Sequence, residues 1–413
     1  MLASCFFFLG MLAMVVFSSC DGVIFSTIRE EVKLSDAKVS GDISTIVRYQ
    51  LNGVENAFVS NGEIYNRSIA TNVNAAGESV SEFKDSVANS KIDWSDFKNP
   101  NSDHVFALAA DSNYLYAATI AIEEDDDGYN VGTTRTLWCY SDGEWSALFT
   151  AAYSDSTPFT LFCTNSPKSE NRTAYFRYVT KVTIPVDGVD TTYTIPVVYK
   201  LNGTEKLKTI HTAETSTDET LEGGYIYKMS GDYPVGTYSE TAPASTDDIS
   251  NLMTVGACAS FGGTVYFTSN YAMITNEDAT TDATYIYYSS SDNVYYSTDA
   301  STWTAVDLDC DTIYSLGVTL DYLLAGTDSG IVHTKWATET PFVPAAGNND
   351  FSTNADSTLS SYYEVSAILV VDPLQSEYGG TIFATSETSS SSASLNNVGL
   401  WSYYASEGEW NRE

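Results

Sequence analysis

The chain of 413 residues carries 54 acidic against 19 basic side chains, a formal net charge of −35, and its first 19 residues hold none of them. That balance excludes a nucleic-acid surface or a face for anionic lipid headgroups, because both require clustered Lys and Arg; spread over a surface it reads as solubility. Hydrophobic residues at 43% and aromatics at 13%, with 29 Tyr, exclude global disorder and allow a packed core, and one large all-β domain can absorb the whole length.

Residues 6–17 read FFFLGMLAMVVF, an apolar run as long as a signal h-region and too short to span a bilayer. Ser18 and Ser19 follow, then Cys20. The segment resembles a bacterial lipobox, with Phe17 where Leu is usual, as in spirochaete lipoproteins. The resemblance implies a signal peptide over 1–19, cleavage before a lipidated Cys20, and export of the mature domain 20–413 to the cell envelope, periplasmic or surface-exposed. Membrane contact is then expected through that lipid only, since no later segment is apolar enough to span. Cys139, Cys163, Cys258 and Cys310 remain, with no Cys-x-x-Cys spacing, so neither a zinc site nor a redox pair is expected. Two disulfides and four buried thiols stay open as alternatives.

Along the chain one strand signature recurs: a turn residue, then an alternating apolar run ending in small or hydroxyl residues. It reads GEIY at 62–65, YLYAAT at 114–119, AYFRYV at 174–179, TVYFTS at 264–269, YLLAGT at 322–327 and TIFATS at 381–386. Most copies have a second apolar strand just upstream: VFALAA at 105–110, FTLFC at 159–163, VGACASF at 255–261, IYSLGV at 313–318 and VSAILVV at 365–371. Small and branched residues of this kind suit a strand buried on both faces near a crowded axis. Short Gly, Asn, Asp or Ser turns join the pairs, as hairpins require.

A third element follows downstream, a strand, a polar turn, a Trp and a new strand. LWCYSDGEWSAL at 137–148 and LWSYYASEGEWNRE at 400–413 match closely; YYSTDASTWTAV at 295–306 and KIDWSDF at 91–97 are looser copies. Repeats of four strands are the grammar of a β-propeller, so the expected fold is all-β, a single propeller of six blades with seven as the alternative, four antiparallel strands each. The 295–306 copy resembles the Asp-box of bacterial neuraminidase repeats, with Ser297, Asp299, Thr302 and Trp303 in matching places and Ala300-Ser301 where the turn Gly is usual. The resemblance implies a folding device: the Asp accepts backbone N–H bonds across the turn and the Trp packs beneath. Asp142 with Trp145, and Trp410, are the corresponding residues of the other copies, and Trp145, Trp303 and Trp410 are expected to be buried.

Polar insertions are expected near 65–92 and 208–250, too Thr-, Ser- and acid-rich to build a core, although YIYKMS at 225–230 could belong to a degenerate seventh blade. The stretch 183–201 reads as a long hairpin bent at Asp187-Gly188, and 386–397 as a loop. Helix should be scarce. The last unit ends where other copies begin an outermost strand, so GVIFSTI at 22–28 or ISTIVRYQL at 43–51 is expected to supply that strand beside 399–405 and close the ring.

Chemistry is sparse. His104, His211 and His333 lie in separate units, and no three-Arg sialate site or Arg-Ile-Pro motif supports a sialidase. Asp111 and Asp372, each just after an inner strand, are turn caps or, if a propeller glycosidase were present, candidate funnel carboxylates. Glu123–Gly128 lacks the alternating ligands of a calcium loop. The expected role is therefore a non-catalytic binding scaffold, monomeric, without cofactor or metal, for a protein or glycan ligand. The alternative is a glycoside hydrolase or lyase acting on extracellular saccharides through funnel carboxylates.

Overall fold

The computed structural model describes residues 38–413 except 44, 70, 74–78, 82–93, 125–129, 212–218, 230, 277–281, 309, 320–321, 336–342, 345–362, 372–380, 389–397 and 405–408. Cys20, Asp372 and the segment 22–28 therefore lie outside the described residues.

The inner strands form where short apolar runs end in turn-forming residues. His104–Ala110 shows the pattern: Ala107, Leu108, Ala109 and Ala110 are all buried, so both faces of the strand are covered. Its chain then turns at Asp111 and runs back as Leu115–Glu124, followed by Asn130–Ser141 and Glu144–Ala152, a four-stranded antiparallel meander. The last turn is Asp142-Gly143, both at positive φ (53° and 88°), the pair a two-residue hairpin of this twist demands. Asp187-Gly188 bends the hairpin Ala174–Val186/Val189–Lys200 in the same way (53° and 80°), as expected from the sequence.

Among the described residues, seven antiparallel sheets of three to five strands follow one another. Their innermost strands are Thr45–Leu51, His104–Ala110, Thr160–Cys163, Ala257–Phe261, Met273–Thr275, Ile313–Val318 and Ile368–Val371. Each innermost strand packs on the next, and Ile368–Val371 returns to pack on Thr45–Leu51. The fold is a β-propeller. A buried hydrophobic cluster fills each junction between neighbouring sheets, from Val47, Phe58 and Leu108 between the first and second to Ile46, Trp94 and Phe383 between the seventh and first. Approach near the axis is tight: a Cβ at Gly317 would meet Ile368 Cγ2 of the next sheet at 2.6 Å.

Three expectations need correction. The six units read from the sequence omit the fifth sheet, built from Met273–Thr275, Ile286–Ser289, Asn293–Ser297 and Thr304–Asp307. The hairpin 295–306 belongs there and not to the unit before it. The fourth sheet takes its two outer strands, Tyr225–Lys228 and Val235–Ser239, from the chain preceding its inner pair. The region 208–250 is accordingly not coreless: Ile226 and Val235 are buried between sheets, and it carries the short helix Thr246–Ser250.

Finally, 43–51 is not an outer strand. Thr45–Leu51 is the innermost strand of the first sheet, and GEIY leads into that sheet's third strand, Ile64–Ser68. The last sheet has its own outer strand, Glu409–Arg412, paired with Gly399–Tyr404. The described ends do meet: Ser40 bridges to Gly399, and Val39 makes backbone bonds to Leu400 and Glu413.

Candidate functional site

The inner strands converge on a cavity of about 240 Å³, to which every sheet but the second contributes lining residues. Its wall is mostly small, apolar and hydroxyl-bearing, with Ala257, Cys258, Leu316 and Val370 beside Ser315 and Ser366. Among these described lining residues there is no Asp, Glu or His, and Arg48 is the charged one.

Arg48 sits at the middle of the first inner strand, buried, and its guanidinium donates to the carbonyl of Val370 across the junction with the seventh sheet. Its backbone N–H donates to Asn165 Oδ1 (2.9 Å), and Asn165 Nδ2 returns a bond to the Ile46 carbonyl (3.2 Å). Asn165 holds a left-handed φ of 48°, which Asn tolerates better than most residues. It opens the connection 164–173 between the first two strands of the third sheet, and that connection crosses the end of the cavity as a strap. Buried Arg172 secures it, donating to the carbonyls of Ser166 (2.6 Å) and Pro167 (3.0 Å) and pairing with Glu55 of the first sheet (2.7 Å). On the other side Lys168 reaches Asp282 of the fifth sheet at 3.2 Å.

A second set lies toward Tyr271 and Tyr314, whose rings meet at 5.4 Å at the edge of the cavity. Glu364 and Glu387 stand directly opposite each other in the antiparallel pair Tyr363–Glu364/Thr381–Thr388. Burial, and then the neighbouring Glu387 charge, hold the Glu364 carboxyl above the usual carboxylate range. Ser366 Oγ donates to Glu387 Oε1 at 2.9 Å.

The residues singled out from the sequence occupy other places. Asp111 caps its turn: Oδ1 accepts from the N–H groups of Asn113 (2.7 Å) and Tyr114 (2.8 Å), and Oδ2 accepts from the Tyr116 hydroxyl (2.6 Å). Asp299 accepts from the N–H groups of Ser301 and Thr302, each at 2.8 Å, and from Ser297 Oγ at 2.9 Å. The Thr302 and Ser301 donors, then Ser297, hold its carboxyl well below the usual range. Ala300 takes the left-handed position of the turn at φ 56°. Trp303 is buried edge-on to Tyr288 at 4.7 Å.

Trp145 is only half-buried; its indole donates to the Lys98 carbonyl at 2.8 Å, and the aromatic neighbours Tyr140 and Phe97 leave one side open. Asp142 serves as a turn residue alone, its carboxylate accepting from Ser141 Oγ at 3.2 Å. Trp410 pairs with Tyr403 on the outer strand of the last sheet, and its side chain lies outside the described residues.

His104, His211 and His333 are in three different sheets, as expected from the sequence, and among the described residues no cluster of three metal-binding side chains occurs. Glu123 and Glu124 end a strand, and 125–129 lie outside the described residues. No disulfide joins Cys139, Cys163, Cys258 and Cys310; burial pushes Cys139 up to about 12. Sequence reasoning missed Arg48 and the strap. A signal existed for the first: Arg48 is the one charged residue in the strand-like run ISTIVRYQL.

No protein-family model matches the chain, and no curated protein sequence does. Three solved structures are similar to it. BBS1N in complex with ARL6DN has a TM-score of 0.41 at 10% identity, over 91% of this chain and 96% of that one. Hsv2 of Kluyvelomyces marxianus has 0.38 at 9%, over 90% and 96%. PorZ, a bacterial surface component of the type-IX secretion system of Porphyromonas gingivalis, has 0.36 at 13%, over 86% of this chain and 46% of that one. The propeller assignment rests on the sheet topology.

Proposed function

We propose that this chain is an exported propeller held at a membrane by a lipid on Cys20, and that it acts as a non-catalytic platform for a protein or glycan ligand. The observation that carries the reading is the cavity wall. Propeller hydrolases aim carboxylates at the axis, where a general acid and a base or nucleophile must flank one bond. Here the described wall offers none, its guanidinium is committed to the Val370 carbonyl, and the strap 164–173 crosses one end. Recognition then falls to the loops displayed by a rigid ring, where binding residues on such scaffolds concentrate.

Among the described residues, the runner-up, a glycoside hydrolase or lyase on extracellular saccharides, would use Glu364 and Glu387. Their juxtaposition and the raised Glu364 carboxyl are what favour it. Both are engaged, however, Glu387 by Ser366 and Glu364 by the Tyr314 hydroxyl. The test is release of reducing ends from a panel of neutral and acidic polysaccharides by the exported protein, with Glu364→Gln and Glu387→Gln alongside. We expect no turnover above blank for any of the three proteins. Turnover by the wild type that either substitution abolishes would replace the platform with the hydrolase.

A further inference from the structure

Six junctions of the ring join sheets that are consecutive in the chain. The seventh joins sheets from opposite ends of the described chain, so noncovalent contacts must close it. Two backbone bonds cross it, Val39 N–H to the Glu413 carbonyl (3.2 Å) and Leu400 N–H to the Val39 carbonyl (3.5 Å), and Glu413 N–H to the Leu400 carbonyl (3.0 Å) lies beside them within the seventh sheet. Beneath them Ile43, Ile46, Val59 and Trp94 pack against Val371, Phe383 and Leu400.

One carboxylate sits over this seam. The Glu413 side chain, 10% exposed, accepts from the Arg67 guanidinium, itself 6% exposed, and from the Trp94 indole N–H at 3.0 Å; both donors belong to the first-sheet side. It also accepts from Ser402 Oγ of the seventh sheet. Arg67 lies over the Phe383 ring at 5.7 Å, so the cation touches the seventh sheet twice. Charge-assisted bonds in such a setting are about twice as strong as neutral ones, and losing one partner leaves the other as a buried, uncompensated charge.

We propose that Glu413 is the latch of the ring: its carboxylate fastens the first sheet to the seventh, and releasing it opens this junction locally while the other six stay closed. The seam is then a cooperative unit of its own, less stable than the sheets it joins.

Hydrogen exchange on the full chain tests this, comparing wild type with Glu413→Gln and with Trp94→Phe. The second variant removes one donor and keeps a ring against Phe383. In both, the amides of Val39, Leu400 and Glu413 should exchange faster, by about tenfold in Glu413→Gln and less in Trp94→Phe, while the fifth-sheet amides of Tyr287 and Tyr295 hold their wild-type rates. Unchanged seam exchange, or equal acceleration in all sheets, overturns the latch. Should Glu413→Gln fail to fold, Trp94→Phe decides by the same two criteria.

Discussion

Asp299 shows how a single side chain can organise a hairpin without taking part in chemistry. Its carboxylate collects two backbone N–H groups and a hydroxyl, so the ionised form is favoured in the fold over the unfolded chain. The sign follows from the depressed titration. Ionised Asp299 stabilises the hairpin above about pH 4, and that contribution fades as the pH falls toward the lower folded value. We therefore expect Asp299→Ala to melt below the wild type at pH 7, with the gap narrowing under acid; a gap independent of pH would refute the ionic part. Trp303, buried against Tyr288, should lose about 3–5 kcal/mol on replacement by Ala, whereas half-buried Trp145 should lose clearly less. Chemical denaturation of the two variants measures the difference, and equal losses would contradict it.

At the scale of elements, the inner strands were legible because burial on both faces leaves a nearly continuous apolar run, as in HVFALAA and IYSLGV. The fifth sheet was not, for a physical reason. Its inner strand is three residues long, Met273–Thr275, and its neighbours are Tyr-rich runs that read equally well as outer strands. The fourth sheet compounded this by drawing its outer strands from upstream, so adjacency in sequence misassigned the following hairpin. The strap 164–173 was also invisible: the first-sheet partners of Asn165 and Arg172 lie over a hundred positions away, and no local pattern reports them. Its ion pair is nevertheless consequential. Arg172→Leu would leave Glu55 and two carbonyls without their donor, at a cost of about 3 kcal/mol; urea unfolding reads this, and a loss below about 1 kcal/mol would show that the strap is held by other contacts.

At the scale of the whole molecule, a ring of sheets is combined with a formal net charge of −35, a balance that disfavours phosphate-rich surfaces. Among the described residues no helix is long and apolar enough to cross a membrane. The proposed anchor rests on the run FFFLGMLAMVVFSSC, read as a cleavable leader ending at a cysteine that would carry acyl chains. The most direct test is metabolic labelling with a fatty-acid analogue, comparing the wild type with Cys20→Ala in membrane and soluble fractions. Label on the wild-type protein in the membrane fraction, with unlabelled Cys20→Ala protein released to the soluble one, is the predicted result. Wild-type protein that carries no label and fractionates as soluble would contradict the account.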